Sequence, residues 1–133
     1  MPGHCVVQIR LVFSVVHLEG PAAPPDPPLD SFLAYVQRFD IVPQALDNSN
    51  TSRGSCRESS TNMYVLKRSC RADGTRMGDI IPLSHIRAAV DLVPRFMNAA
   101  DSHLTKESSL EYSSEFLLNN FFDKQLYYSL LET

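Results

Sequence analysis

Every second residue from Val7 to Val15 is apolar (Val7, Ile9, Leu11, Phe13 and Val15), while Gln8, Arg10 and Ser14 share the opposite face with Val6, Val12 and Val16. A period of two specifies a β-strand, because successive side chains of an extended chain point to opposite faces. This alternation favours pairing of the segment into a sheet, although five prolines follow in Gly20–Pro28. Those prolines remove backbone donors and fix φ, so residues 21–31 read as a stiff extended connector, a spacer rather than a proline-motif ligand.

The rest of the first hundred residues continues in short extended pieces. Phe32 to Val42 reads as a second strand, rich in Leu33, Tyr35, Val36, Phe39 and Ile41 and closed by Pro43. A polar loop over 44–62 carries Arg53 and Arg57 among Ser, Asn and Thr. Met63–Arg68 and Gly78–Leu83 read as two strands expected to pair antiparallel, since Asp73-Gly74 between them suits a tight turn. Ser84–Arg87 reads as one turn, and Val90 to Phe96 as a last short strand. Five short strands predict a mainly β fold with some α, a small bent antiparallel sheet or barrel over residues 1–103.

From residue 104 the character changes. Ser108 or Ser109 is a candidate cap for a helix running through Glu111 to Leu118, and Asp123 for another through Leu131, with Asn119-Asn120 as the break. Residues 104–133 are therefore expected to be a helical tail whose aromatic load places it against the sheet or against a partner. Phe116, Phe121, Phe122 and Tyr128 are the side chains expected to stay partly exposed and to meet that partner.

With 133 residues the chain makes one domain or one piece of a larger one. Its 44% apolar and 20% charged residues fit a packed globular chain rather than a disordered tail. No run approaches the roughly 18 apolar residues of a membrane helix, so no membrane contact is expected. Gln8 and Arg10 interrupt the apolar run from Cys5 to Val16 and no Lys or Arg precedes it, which fails the signal-peptide pattern. An intracellular chain is the expectation, and the Asn50-Thr51-Ser52 sequon then carries no meaning. The net charge of −3 excludes a uniformly basic nucleic-acid binder but leaves room for a local patch. Residues 1–52, 53–95 and 96–133 carry net charges of −3, +4 and −4. Complementarity between the basic middle and the acidic tail would let the tail cover the hairpin.

The sequence shows no assembled catalytic equipment. A two-metal nuclease or strand-transfer site needs three converging carboxylates, because hard oxygen ligands must hold two cations close together. Asp40, Asp79 and Asp91 lie at or near strands, where an Asp facing solvent or starting a turn is ordinary. His4, His17, His85 and His103 are scattered with no i, i+4 pair, so no metal is expected. The three cysteines, Cys5, Cys56 and Cys70, have neither zinc nor disulfide spacing and read as reduced, inert thiols. Five dispersed glycines form no phosphate loop, so no nucleotide or other cofactor is implied. The one concentrated basic feature is Lys67-Arg68-Ser69-Cys70-Arg71 with Arg76 across the turn. With Tyr64 as an aromatic contact, Lys67, Arg68, Arg71 and Arg76 form a small candidate nucleic-acid footprint.

Four stretches in order, LAYVQRFDIVPQ (Leu33–Gln44), MYVLKR (Met63–Arg68), GDIIPLSHIRAAVDLVPRF (Gly78–Phe96) and LTKESSLEYSSEFLLNNFFDKQLYYSL (Leu104–Leu130), resemble the C-terminal region of fungal transposases of the Plavaka type. Similarity to KDZ transposases is looser. The leading VVQIRLVFSV (Val6–Val15) looks like the strand that opens this region in those proteins. The resemblance implies a non-catalytic C-terminal module, since strand-transfer chemistry in such elements belongs to an upstream RNase-H-like region, and no catalytic residue lies in the matched stretch. The family pattern favours Gly where Met97 and Asn62 stand, Asn where Ser108 stands, and Lys-Tyr where Asn120-Phe121 stand. Asn62 can adopt a left-handed turn, whereas Met97 does so only at a cost. These departures, with the loop over 44–62, suggest an eroded stand-alone copy without enzymatic activity, a transposon-derived remnant. Its expected partner is the rest of a transposase or another protein. The competing expectation is a small nucleic-acid or chromatin-binding barrel using the basic hairpin.

Overall fold

The computed structural model describes residues 3–15, 31–44, 56–97 and 99–131. Six strands, β1 (Val7–Ser14), β2 (Phe32–Ile41), β3 (Val65–Arg68), β4 (Gly78–Pro82), β5 (Leu92–Pro94) and β6 (Glu115–Leu118), form one antiparallel sheet. The order is β1-β2-β3-β6-β5, with β4 also paired to β2, and the sheet curls into a half-barrel. Two short helices accompany it, α1 (Ser109–Tyr112) and α2 (Lys124–Leu131). The fold is thus mainly β, as the short extended pieces of the sequence require. The proline-rich connector (except Ser31), most of the polar loop, His17 and the sequon lie outside the described residues.

The five strands expected from alternation all form, within a few residues of their expected ends. Pairing differs at one place. Met63–Arg68 and Gly78–Leu83 were expected to pair with each other, but β3 pairs with Phe39–Ile41 and β4 with Leu33–Gln37, so the two arms lie end to end along β2. Only the root of the hairpin closes on itself, through a Cys70–Arg76 bridge and the Met77 N–H to Ser69 C=O bond of 2.8 Å. The Asp73-Gly74 turn forms as its residues demand. Gly74 takes φ +84°, and the Asp73 carboxylate accepts the Thr75 N–H at 2.9 Å. Asn62 holds φ +57° and is the only non-glycine residue at positive φ among the described residues.

The larger correction concerns the tail. Glu111 to Leu118 was expected to be helical, yet α1 stops at Tyr112 and residues 115–118 form β6, between β3 and β5. Ser113 and Ser114 have weak helix preference, and Ser113 is already extended at φ −66°, ψ 141°. Beyond them Phe116 and Leu118 fall on one face at strand period, and packing into the sheet outweighs local propensity. Ser108 precedes α1 without capping it; its hydroxyl accepts the Thr105 N–H at 2.9 Å. Asp123 caps α2 as expected, accepting the Gln125 N–H at 2.6 Å.

Residues opposite one another in register share a face. On one face Val6, Phe39, Tyr64, Leu66, Phe116 and Leu118 form the core, joined by Leu110 of α1 and Leu126 of α2. The Phe39 and Phe116 rings meet edge to face at 5.6 Å. Phe116, expected to face a partner, is instead 0% exposed, whereas Phe121, Phe122 and Tyr128 are 60–62% exposed as expected. Gly78 lies beneath Tyr35, where an added Cβ would stand 2.4 Å from the phenol oxygen, so a glycine is required for the ring to cross β4. Because Phe116 closes the core from the tail, Phe116→Ala is expected to cost about 3–5 kcal/mol in urea unfolding. A cost below about 1 kcal/mol would place residues 115–118 outside the core.

Candidate functional site

The register of β1 against β2 runs Val7–Arg38, Gln8–Gln37 and Ile9–Val36, then resumes at Leu11–Tyr35. Arg10 is the extra residue of a β-bulge, a device that re-aims a side chain. Gln8 and Arg10 both reach the core side of the sheet, where they meet Glu111 of α1: Gln8 Nε2 donates to Glu111 Oε1 at 3.2 Å and Arg10 Nη1 at 2.5 Å. From the hairpin root, Arg76 Nη1 donates to Glu111 Oε2 at 2.7 Å and Nη2 to the Glu111 carbonyl at 2.9 Å. Arg68, one strand residue from the hairpin, turns the same way. Its guanidinium lies 5.0 Å over the Phe39 ring, donates through Nη2 to the Leu110 carbonyl, and stands 3.9 Å from Glu111 Oε1.

Three guanidinium groups therefore converge on one carboxylate at the edge of the core. Hydrogen bonds from Arg76 and Gln8 hold the Glu111 carboxyl down at about 2. Arg68 is the buried member, its side chain 8% exposed. Burial and the Arg76 charge lower its proton affinity, without bringing a guanidinium near neutralisation. Two of its donors, Nε and Nη1, are buried with no partner among the described residues, as are Gln8 Oε1 and Ser113 Oγ.

The five residues of the expected nucleic-acid footprint do not share one surface. Arg68 and Arg76 face the core side and are engaged by Glu111. Tyr64 is buried in the core, its ring 4.6 Å beneath the Arg57 guanidinium. Lys67 is exposed on the opposite face, in register between Asp40 of β2 and Glu115 of β6. Arg71 is exposed at the turn. The acidic tail does meet the basic middle, and Glu111 is where it does so. A second junction has the same logic: Arg95 donates to Glu58 at 2.9 Å and to Glu115 at 2.6 Å, tying residues 56–62 to β6.

The three carboxylates weighed for metal chemistry stay apart. Asp79 pairs with Arg38, Asp91 accepts the Asn119 amide at 2.9 Å, and Asp40 lies four residues along β2 from the partner of Asp79, about 13 Å away. Among the described residues no three His, Cys, Asp or Glu side chains are placed to hold a metal ion. Cys5, Cys56 and Cys70 are exposed free thiols. His4 and Cys5 rim a shallow hollow of about 230 Å³ over Val6, Phe39 and Leu66. Among the described residues no helix is long and apolar enough to cross a membrane.

Glu111, Arg10 and Gln8 were not among the residues singled out from sequence. The available signals were the polar Gln8 and Arg10 inside an otherwise apolar strand and the opposed charges of the middle and tail segments. Because the Glu111 carboxyl titrates lower in the folded chain than in the unfolded one, it stabilises the fold fully above about pH 4.5, and this is lost as pH falls toward about 2. Glu58, lowered chiefly by the Thr61 hydroxyl, adds to the same acid limb. Glu111→Gln is therefore expected to lower stability at pH 7 by about 2 kcal/mol and to flatten the decline between pH 5 and pH 2, read by urea unfolding across pH. An unchanged acid limb would show that the carboxylate carries no such linkage.

Comparison with known proteins reaches only the first part of the chain. A family model described as "Domain of unknown function (DUF6830)" matches residues 1–57, which include β1 and β2. No curated protein and no solved structure matches. The chain is similar to that family over less than half of its length.

Proposed function

We propose that this chain is a non-catalytic docking module that packs against the body of a transposase-like protein, as the C-terminal region of a Plavaka-type transposase would. The observation that carries this reading is an open apolar row across the sheet. Leu11 and Ile80 stand opposite Tyr35 from either side, in the middle of β1 and β4, and are 58% and 57% exposed. Ile9 and Val12 are also exposed on the other face, as are Phe121 and Phe122 just before α2 and Tyr128 on it. Scattered apolar residues are ordinary on a surface, but a cross-strand row of large ones is the mark of an interface. The ordered four-motif resemblance supplies the chemistry of the partner, and the charge pattern agrees, since Arg68 is buried and Arg76 is bonded to Glu111, so neither joins Lys67 and Arg71 in one basic surface.

The test is capture of this chain by a Plavaka-type transposase body lacking its own C-terminal region. The expected result is a complex that Leu11→Ser with Ile80→Ser weakens about tenfold or more, while the unfolding midpoint of the free chain shifts little. No complex, together with salt-dependent binding to duplex DNA lost on Arg71→Ala, would replace this reading with the nucleic-acid one.

A further inference from the structure

We propose that Arg10, Arg68 and Arg76 form a binding site for a single phosphate group, which Glu111 occupies in the free chain. Three guanidinium groups face one carboxylate, so the cluster keeps a surplus of two positive charges with Glu111 in place. Donors also outnumber the acceptors that Glu111 offers. The two Glu111 carboxylate oxygens already accept from Gln8, Arg10 and Arg76, and reach Arg68 only at 3.9 Å, beyond hydrogen-bond distance.

Arg68 supplies the independent observation. Its side chain is more than nine-tenths buried, yet Nε and Nη1 have no partner among the described residues. A buried guanidinium short of partners is costly, and Arg68 Nη2, the atom nearest Glu111 Oε1 at 3.9 Å, adds a third positive charge behind Arg10 and Arg76 that an anion larger than a carboxylate would approach more closely. A tetrahedral phosphate offers more acceptor oxygens than a carboxylate, carries more charge, and suits the planar fork of arginine. Access exists as well. Arg10, Arg76 and Glu111 are each between 29% and 39% exposed, so an anion reaches the cluster at these three side chains.

The surroundings argue for an isolated phosphate rather than a nucleic-acid backbone. The cluster is compact, three guanidinium groups around one carboxylate, and Lys67 and Arg71 of the same basic run lie apart from it, so no extended basic track continues from it along a polyanion. Inorganic phosphate and a small phosphate monoester present the same group. They differ only in whether the organic part adds contacts.

The experiment titrates the full chain with sodium phosphate against sodium chloride at matched ionic strength, reading the unfolding midpoint and calorimetric binding, with phenyl phosphate as a second probe. The expected result is a saturable phosphate-specific rise in the midpoint with one site per chain. Glu111→Gln, which removes the resident carboxylate, should tighten phosphate about tenfold while lowering stability without it. Arg10→Gln should weaken phosphate about tenfold, and serves alone if Glu111→Gln does not fold. Tighter binding of phenyl phosphate than phosphate assigns the monoester as the group's source, and equal binding assigns the free anion. Equal midpoints in phosphate and chloride, or an affinity untouched by Arg10→Gln, would overturn the proposal. So would displacement of phosphate by a duplex of about 20 base pairs with a steep salt dependence, because the site would then serve a polyanion.

Discussion

A β-strand has two edges, and β2 serves three neighbours. It meets β1 along one edge and both β4 and β3, end to end, along the other. The join falls at one residue. The Arg38 N–H donates to Met77 C=O at 3.1 Å, and the Arg38 C=O accepts from the Ser69 N–H at 2.9 Å. Because the chain reverses through the Asp73-Gly74 turn, Ser69 and Met77 are neighbours, and a single backbone position can satisfy both. Ser69 is buried there, where a larger side chain would press on the junction. Everything beyond β2, the core around Leu66 and Phe116 on one side and the open Leu11–Tyr35–Ile80 row on the other, is placed by this division of one strand between two sets of partners.

Between these two regions lies the cluster around Glu111. It is polar because, on the face that carries Phe39 and Phe116, apolar packing stops at those rings, and beyond them Gln8, Gln37 and Gly78 occupy successive positions in register. The bulge at Arg10 and the buried Arg68 draw α1 down onto that strip. A buried guanidinium needs compensation, which the Leu110 carbonyl and the Phe39 ring supply in part and Glu111 supplies at a distance. The same cluster thus holds the tail to the sheet and leaves Arg68 donors without a partner among the described residues.

Period-two patterning made β1 and β2 legible, and the proline and glycine punctuation set their ends and the hairpin turn. What it could not show was where each strand pairs, since the Asp73-Gly74 turn suits a simple hairpin as well as the split arrangement observed. Residues 111–118 were misread because Leu110, Phe116 and Leu118 serve a helix or a strand equally well in so short a run, and only the gap between β3 and β5 decides. Of the candidate site, Arg68 and Arg76 stood out as a basic run. Their engagement by Glu111 depends on a contact 35 residues away for Arg76, which no local pattern encodes. The segment charges anticipated the meeting of middle and tail without naming the residues.

The most direct measurement is amide hydrogen exchange on the full chain, comparing the Leu118 N–H, bonded to Tyr64 C=O at 2.9 Å, with the Phe39 N–H, bonded to Val6 C=O at 3.0 Å. If the tail strand completes the sheet, the two amides open in one cooperative event and their protection agrees within about tenfold. Leu118 exchanging about a hundredfold faster than Phe39 would mean that the tail opens by itself over a finished sheet, contradicting its place as an integral strand.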